Sequence, residues 1–153
     1  MMRGAVILIA LISCSRDAPR TRKLDPEAPV RVVLATPAGE ASVSVEVADS
    51  PEDIERGLMF RKELPAESGM LFLMKREKDW SFWMQNTLIP LDIIFITKQL
   101  TVAGIIHRAT PGSKERRSVG VPSIYVLEVN GGWAEQHGIA TAGTKVVFDN
   151  LRL

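Results

Sequence analysis

One cysteine, Cys14, stands in a chain of 153 residues, and that scarcity removes several chemistries together. No disulfide can close within the chain. A structural zinc site wants four Cys or His ligands, and beyond Cys14 only His107 and His137 are present, so no metal or other cofactor is expected. An excess of charge of one sign is equally absent, with 19 Lys and Arg against 18 Asp and Glu. Nucleic acid is held by a basic face, so a balanced chain points to no nucleic-acid partner. No apolar run reaches the ~20 residues that a membrane-spanning helix needs. Gly-x-Ser-x-Gly and His-Glu-x-x-His are both missing, which removes the common serine-hydrolase and zinc-protease layouts.

What is present begins with the leader. "MMRGAVILIALISCS" has a basic Arg3, an apolar run from Gly4 to Ile12 and small residues around Cys14, the layout of a secretory signal. Leu11-Ile12-Ser13-Cys14 also resembles the lipobox of bacterial lipoproteins, in which the cysteine thiol is acylated and becomes the first mature residue. The expectation is a lipoprotein signal peptide over 1–13, lipidation at Cys14, and a flexible tether over 14–29. The tether is charged and proline-punctuated, with too little apolar surface to offset chain entropy. The lipid on Cys14 then makes the membrane a partner without a polybasic patch. The domain would sit on the periplasmic side as a membrane-anchored lipoprotein. Ser15, in place of an aspartate after the cysteine, leans toward the outer membrane.

Residues 30–153 read as a single mainly-β domain. In "ASVSVEVA" (41–48), Val43, Val45 and Val47 alternate with Ser42, Ser44 and Glu46, the period of a strand with one buried face. With "VRVVLA" (30–35) before it and "TPAGE" between, the pair predicts a hairpin. "DSPEDIERGL" follows with Ser50 as N-cap, Pro51 at the first helical position and Gly57 as stop. Further strands are predicted at 69–74, 80–86, 90–97, 100–109, 123–129 and 144–148, each short, branched or aromatic, and bounded by turn residues. A second short helix is predicted in "GGWAEQHG", closed by Gly138. Closely spaced strands with one or two short helices favour an antiparallel β-sandwich or barrel-like domain.

The stretch "SFWMQNTLIPLDIIFI" (81–96) is the most informative. In "PLDIIFI" neither face is polar, so this strand is central and covered on both sides. Asp92 within it is costly unless it accepts hydrogen bonds or pairs with a cation. Asn86 and Asp92 are expected near each other across the "NTLIP" turn, as mutual and backbone hydrogen-bond partners.

Four segments, "ERGLMFR" (55–61), "GMLFLM" (69–74), "SFWMQNTLIPLDIIFI" and "YVLEVNGGWAEQHGI" (125–139), in this order and spacing, resemble the domain-of-unknown-function family numbered 192. The resemblance covers Val43 to Phe148 and implies a compact, mainly β, often exported domain with no assigned activity. Its strongest positions fall on residues that include Arg56, Gly57, Arg61, Phe72, Trp83, Asn86, Asp92 and Glu128. Gln85 stands where a lysine is common, and the 110–123 loop lacks the cysteines that many members carry there.

Three functions remain open on the sequence. The first is a non-catalytic binding module for a small polar, sugar-like or peptide-like ligand, or for an envelope protein, with Arg56, Arg61, Trp83, Asn86, Asp92 and Glu128 as candidate binding residues and Tyr125 as further aromatic surface. The second is a hydrolase or lyase pairing Asp92 with Glu128, helped by His107. The third is soft-metal handling of Cu(I) by Met59, Met70, Met74 and Met84 beside Trp80 and Trp83, since thioethers suit that ion.

Overall fold

The structure, a computed structural model, describes residues 28–140 and 142–151. The leader, Cys14 and most of the tether lie outside the described residues. The hairpin forms as β1 (Val30–Thr36) and β2 (Gly39–Ala48), paired from Val30 against Val45 to Thr36 against Gly39. Ala41, Val43 and Val45 are buried in it as the alternation requires. Helix α1 (Pro51–Arg56) starts as expected: the Ser50 hydroxyl accepts from the Asp53 amide at 3.1 Å, and Gly57 closes the helix at φ 47°.

Then come β3 (Ser68–Lys78), β4 (Leu91–Ile96), β5 (Val102–Ala109), β6 (Ser123–Asn130), helix α2 (Trp133–Gln136) and β7 (Val146–Asp149). The strands make one sheet in the order β5-β4-β6-β3-β2-β1-β7. It is curled into a half-barrel, and its two edges meet at a single bridge between Thr101 and Lys145. The architecture is mainly β and mostly antiparallel, with one exception: β2 and β3 run parallel, Ser44 against Ser68 through Ala48 against Phe72. A parallel pair needs a crossover of a dozen or more residues. The 49–67 segment, carrying α1, is that crossover.

Two apolar clusters occupy the two faces of the curl. One takes residues from all seven strands, among them Val32, Val43, Leu71, Ile94, Val102, Leu127 and Val146, and fills the inside together with Trp133 of α2. The other, on the outside of β3, β4 and β6, is built from Phe72, Ile93, Phe95 and Val126 with Leu58 and Met84 from the covering loops. All six residues of β4 are therefore buried, as its two-sided apolar pattern implies.

The expected strand at 80–86 is absent. Only Phe82 bridges, to Arg117, and the segment lies over the outer face of the sheet. Its aromatics are spent on that face: Phe82 meets Phe72 edge-on at 5.3 Å between ring centres and Phe95 at 5.9 Å. A covering loop needs the same greasy alternation as a strand, so periodicity could not separate them.

Asp92 is fully buried on the inner face, beside Ile94 and Ile96. Its Oδ1 accepts from the amides of Arg108 at 2.8 Å and Gly132 at 2.9 Å, and its Oδ2 accepts from Ala134 at 2.9 Å. The Arg108 amide lies where the β4–β5 register slips between Leu91 and Ile93, with Arg108 itself at φ 44°. Gly132 and Ala134 open α2, whose own N-cap, Gly132, has no side chain to offer. Asp92 therefore caps a helix from some forty residues away. The expected partnership with Asn86 does not form, because all three of these donors are backbone amides, while Asn86 reaches Met59.

Hydrogen bonds to a charged group contribute about 1.5–3 kcal/mol each, and an amide in place of the carboxylate turns an NH₂ toward backbone donors. Asp92→Asn should lower unfolding stability by about 3 kcal/mol. Urea denaturation at unchanged m-value measures it.

Candidate functional site

The covering loops do not seal the outer face. Between α1 with its following turn, the 78–87 segment and the sheet lies an open cleft of about 450 Å³. Phe72 and Met74 of β3 and Glu128 of β6 form its floor, and Arg56, Gly57 and Met59 line one wall. Trp80, Phe82 and Trp83 line the other, and Lys78, Asp79 and Arg116 complete the lining.

Glu128 sits mid-strand between Met70 of β3 and Ile93 of β4 and is 5% exposed. Alternation along β6 puts Leu127 and Val129 inside the curl, so Val126 and Glu128 face the outer cluster and the cleft. Among the described residues no hydrogen bond or ion pair reaches its carboxyl. Burial raises its pKa from the ordinary 4.5 to about 8, so the group is mainly protonated at neutral pH. Gly57 makes the close approach of α1 feasible. A Cβ there would stand 3.2 Å from the Phe72 ring and 3.9 Å from Glu128 Oε2, on a backbone with φ 47° that side chains rarely adopt.

The indoles are held from outside. Trp80 Nε1 donates to the Arg76 carbonyl at 3.1 Å, and Lys78 Nζ lies 3.8 Å above its ring centre. The Arg116 guanidinium lies 4.6 Å from the centre of Trp83. Both are cation–π contacts on the tryptophans of one wall.

Of the six residues singled out in the sequence, Arg56, Trp83 and Glu128 share this cleft. Arg61 lies in the neighbouring groove, where its two terminal nitrogens each donate to Glu46 at 2.6 Å. That fork holds the Glu46 carboxyl below its usual pKa. Asn86 is exposed at φ 58°, its carbonyl accepting from the Phe60 amide at 2.8 Å, and it ties the two loops together outside the cleft lining. Asp92 lies on the opposite face of the sheet.

The carboxylate pair proposed for hydrolysis is therefore not assembled. Ile93, not Asp92, stands opposite Glu128 in the β4–β6 ladder, so the two carboxyls project to opposite sides. His107 is exposed on β5 and does not line the cleft. The four methionines are divided too: Met59 and Met74 line the cleft, Met70 lines the neighbouring groove and Met84 is 1% exposed in the outer core. Lys78 and Arg116 escape the sequence reading because charged residues beside a strand end or in a loop look merely solvated. Trp80 is visible as an aromatic, but nothing local shows that it lines the same cleft as Glu128.

The family model for DUF192, described as uncharacterized ACR, matches residues 32–148. No functionally curated protein matches the chain. Among solved structures, a Sinorhizobium meliloti 1021 protein, provisionally described as a transcription regulator, is 34% identical. The match covers 81% of this chain and 96% of that one, with a TM-score of 0.75. A protein of unknown function from Novosphingobium aromaticivorans DSM 12444 is 37% identical over 82% of this chain and 91% of its own, with a TM-score of 0.74.

The buried Glu128 makes stability depend on pH. Its folded pKa, about 8, lies above the unfolded value near 4.5. The stability that its proton supplies is thus fully present below pH 4.5 and is lost as pH rises to 8. Across that window the protein should lose stability with a slope approaching about 1.4 kcal/mol per pH unit from this group. Glu128→Gln should flatten the slope in a thermal-melting series from pH 5 to 8.

Proposed function

The chain belongs to the DUF192 family, whose description carries no activity, and we propose that its domain is a non-catalytic binding module for a small polar ligand, sugar-like or peptide-like. The observation that carries this reading is a buried carboxyl without a partner among the described residues, open to a cleft with one aromatic wall. Binding pockets combine an apolar lining with a few convergent polar groups, and this lining has that make-up. The Phe82 and Trp83 rings offer apolar faces, while the Glu128 carboxyl supplies a hydrogen bond that the fold does not itself use. Glu128 is the one buried titratable group of the lining, whose other carboxyls, Glu55 and Asp79, are exposed and which includes no histidine, and this favours binding over acid–base turnover.

Because Trp80 and Trp83 line the cleft, their fluorescence reports its occupancy. Titration of the purified protein with a panel of mono- and disaccharides and di- and tripeptides should give a saturable change for at least one class. Trp83→Leu should weaken that binding about tenfold, the equivalent of ~1.4 kcal/mol. A panel without any saturable member, in fluorescence or thermal shift, removes the reading.

The same proposal places the module at the membrane, as a lipoprotein acylated on Cys14 with residues to 29 as tether. The apolar run ending at the cysteine supports this, and Ser15 favours the outer membrane. Labelled palmitate should enter the wild-type chain and fail to enter Cys14→Ala, which should also leave the membrane fraction. Equal labelling of both sinks the anchor.

A further inference from the structure

Three features of the cleft, taken together, specify the charge of its occupant. The first is the missing partner of Glu128. Its carboxyl is at the floor, 5% exposed, in a cleft that also holds Arg56 and Lys78 and Arg116. None of those cations makes an ion pair with it. Fold-level needs do not explain this, because a buried carboxyl with no partner costs stability that an apolar residue would not.

The second is what the cleft's own cations do instead. Lys78 sits over the face of Trp80 and Arg116 over the face of Trp83. Each of these tryptophans thus already holds a cation over a ring face, and both cations stand on exposed residues. The charged groups around Glu128 come from every packed element: Glu55 and Arg56 on α1, Lys78 and Asp79 at the end of β3, and Arg116 on the 110–122 loop. Their signs nearly cancel, with three cations against two anions, so the rim carries little net charge to repel a third party.

The third is space. The cleft over Glu128 is open, with about 450 Å³ of free volume, and Gly57, which packs against the Phe72 ring where a Cβ would come within 3.2 Å, adds no side chain to it.

We propose that the cleft takes a small ligand bearing an alkylammonium or guanidinium group, whose cation pairs with the Glu128 carboxylate and whose stem lies along the tryptophan wall. This rests on the cleft being a binding site at all, and it names the ligand class that such a site accepts. Seating the cation converts the Glu128 carboxyl to carboxylate and sends its proton to solvent. The ligand's own protons stay in place, forming charge-assisted hydrogen bonds of the strong kind. An acidic peptide or phosphate, which a rim of Arg and Lys would otherwise suggest, would hold the Glu128 carboxyl in its protonated form and so release no proton on binding.

Calorimetry on the full-length protein tests this with four blocked amino acids of similar bulk: N-acetyl-lysine, N-acetyl-arginine, N-acetyl-norleucine and N-acetyl-glutamate methylamides. The lysine and arginine probes should bind at least tenfold more tightly than norleucine, with release of about one proton per ligand at pH 6. Their affinity should rise about tenfold per pH unit toward pH 8 and then level off, as one-proton linkage requires. Glu128→Gln should abolish both the preference and the pH dependence, and Trp83→Leu, which leaves the carboxyl in place, should weaken the cationic probes while keeping the proton release. If norleucine or glutamate binds as tightly, or if Glu128→Gln keeps the lysine preference, the cationic assignment is overturned and the cleft stands as a site of another class. If none of the four probes nor the saccharide panel binds, both readings fall together.

Discussion

The Asp92 carboxylate, taking three backbone amides from two separate elements, is the interaction on which the inner half of this molecule depends. It fixes the slip in register where β5 passes β4, and it supplies the cap that Gly132 cannot provide at the start of α2. With α2 held there, Trp133 enters the inner core, and its indole N–H donates to Glu67 at 3.0 Å in the crossover before β3. The helix ends as firmly as it starts: the Gly138 and Ile139 amides donate to the carbonyls of Glu135 and Ala134, at 3.1 and 2.9 Å, with Gly138 at φ 64°. That is the Schellman arrangement of a glycine-closed helix. One carboxylate therefore links a strand, a bulge and a helix that are far apart in sequence.

Its counterpart on the other face follows the opposite rule. Asp92 and Glu128 are both buried on adjacent strands of one sheet, yet every acceptor site of consequence on the first is used and none on the second is. Position within the ladder decides this. The inner face of β4 meets backbone amides at α2 and the bulge, while the outer face of β6 meets ring edges, thioethers and an open cleft. The functional reading therefore rests on an asymmetry between two similar groups and not on either carboxyl alone.

Much of this was legible in the sequence, and the parts that were not share a cause. The β1–β2 alternation, the Ser50 cap and the Gly138 stop are local, and each appears where the residues place it. The two-sided burial of β4 was equally readable from "LDIIFI". The parallel β2–β3 pair was not, since nothing local distinguishes a 49–67 crossover from a connection between antiparallel neighbours. Segment 80–86 was misread because aromatics that cover a sheet alternate like aromatics within one. The candidate site was half visible for the same reason. Arg56, Trp83 and Glu128 were found by residue type, whereas the exclusion of Asp92 and Asn86 from the cleft depends on which face and which loop each occupies. Residue type gives Asp92 and Glu128 equal standing as binding candidates, and only the face of the sheet each occupies separates them.

The curl of the sheet bears on how copies of the protein coexist. A flat seven-stranded sheet would present β5 and β7 as edges with rows of free amides and carbonyls, ready to add a strand from another chain. Here those edges turn toward each other and are tied at Thr101 and Lys145, with the Val102 amide donating to Thr144 at 2.8 Å and Val146 to Leu100 at 2.9 Å. The stretch most exposed to edge-to-edge association is spent on the molecule itself. The seam therefore acts against aggregation at high local concentration, a benefit independent of anything the cleft binds.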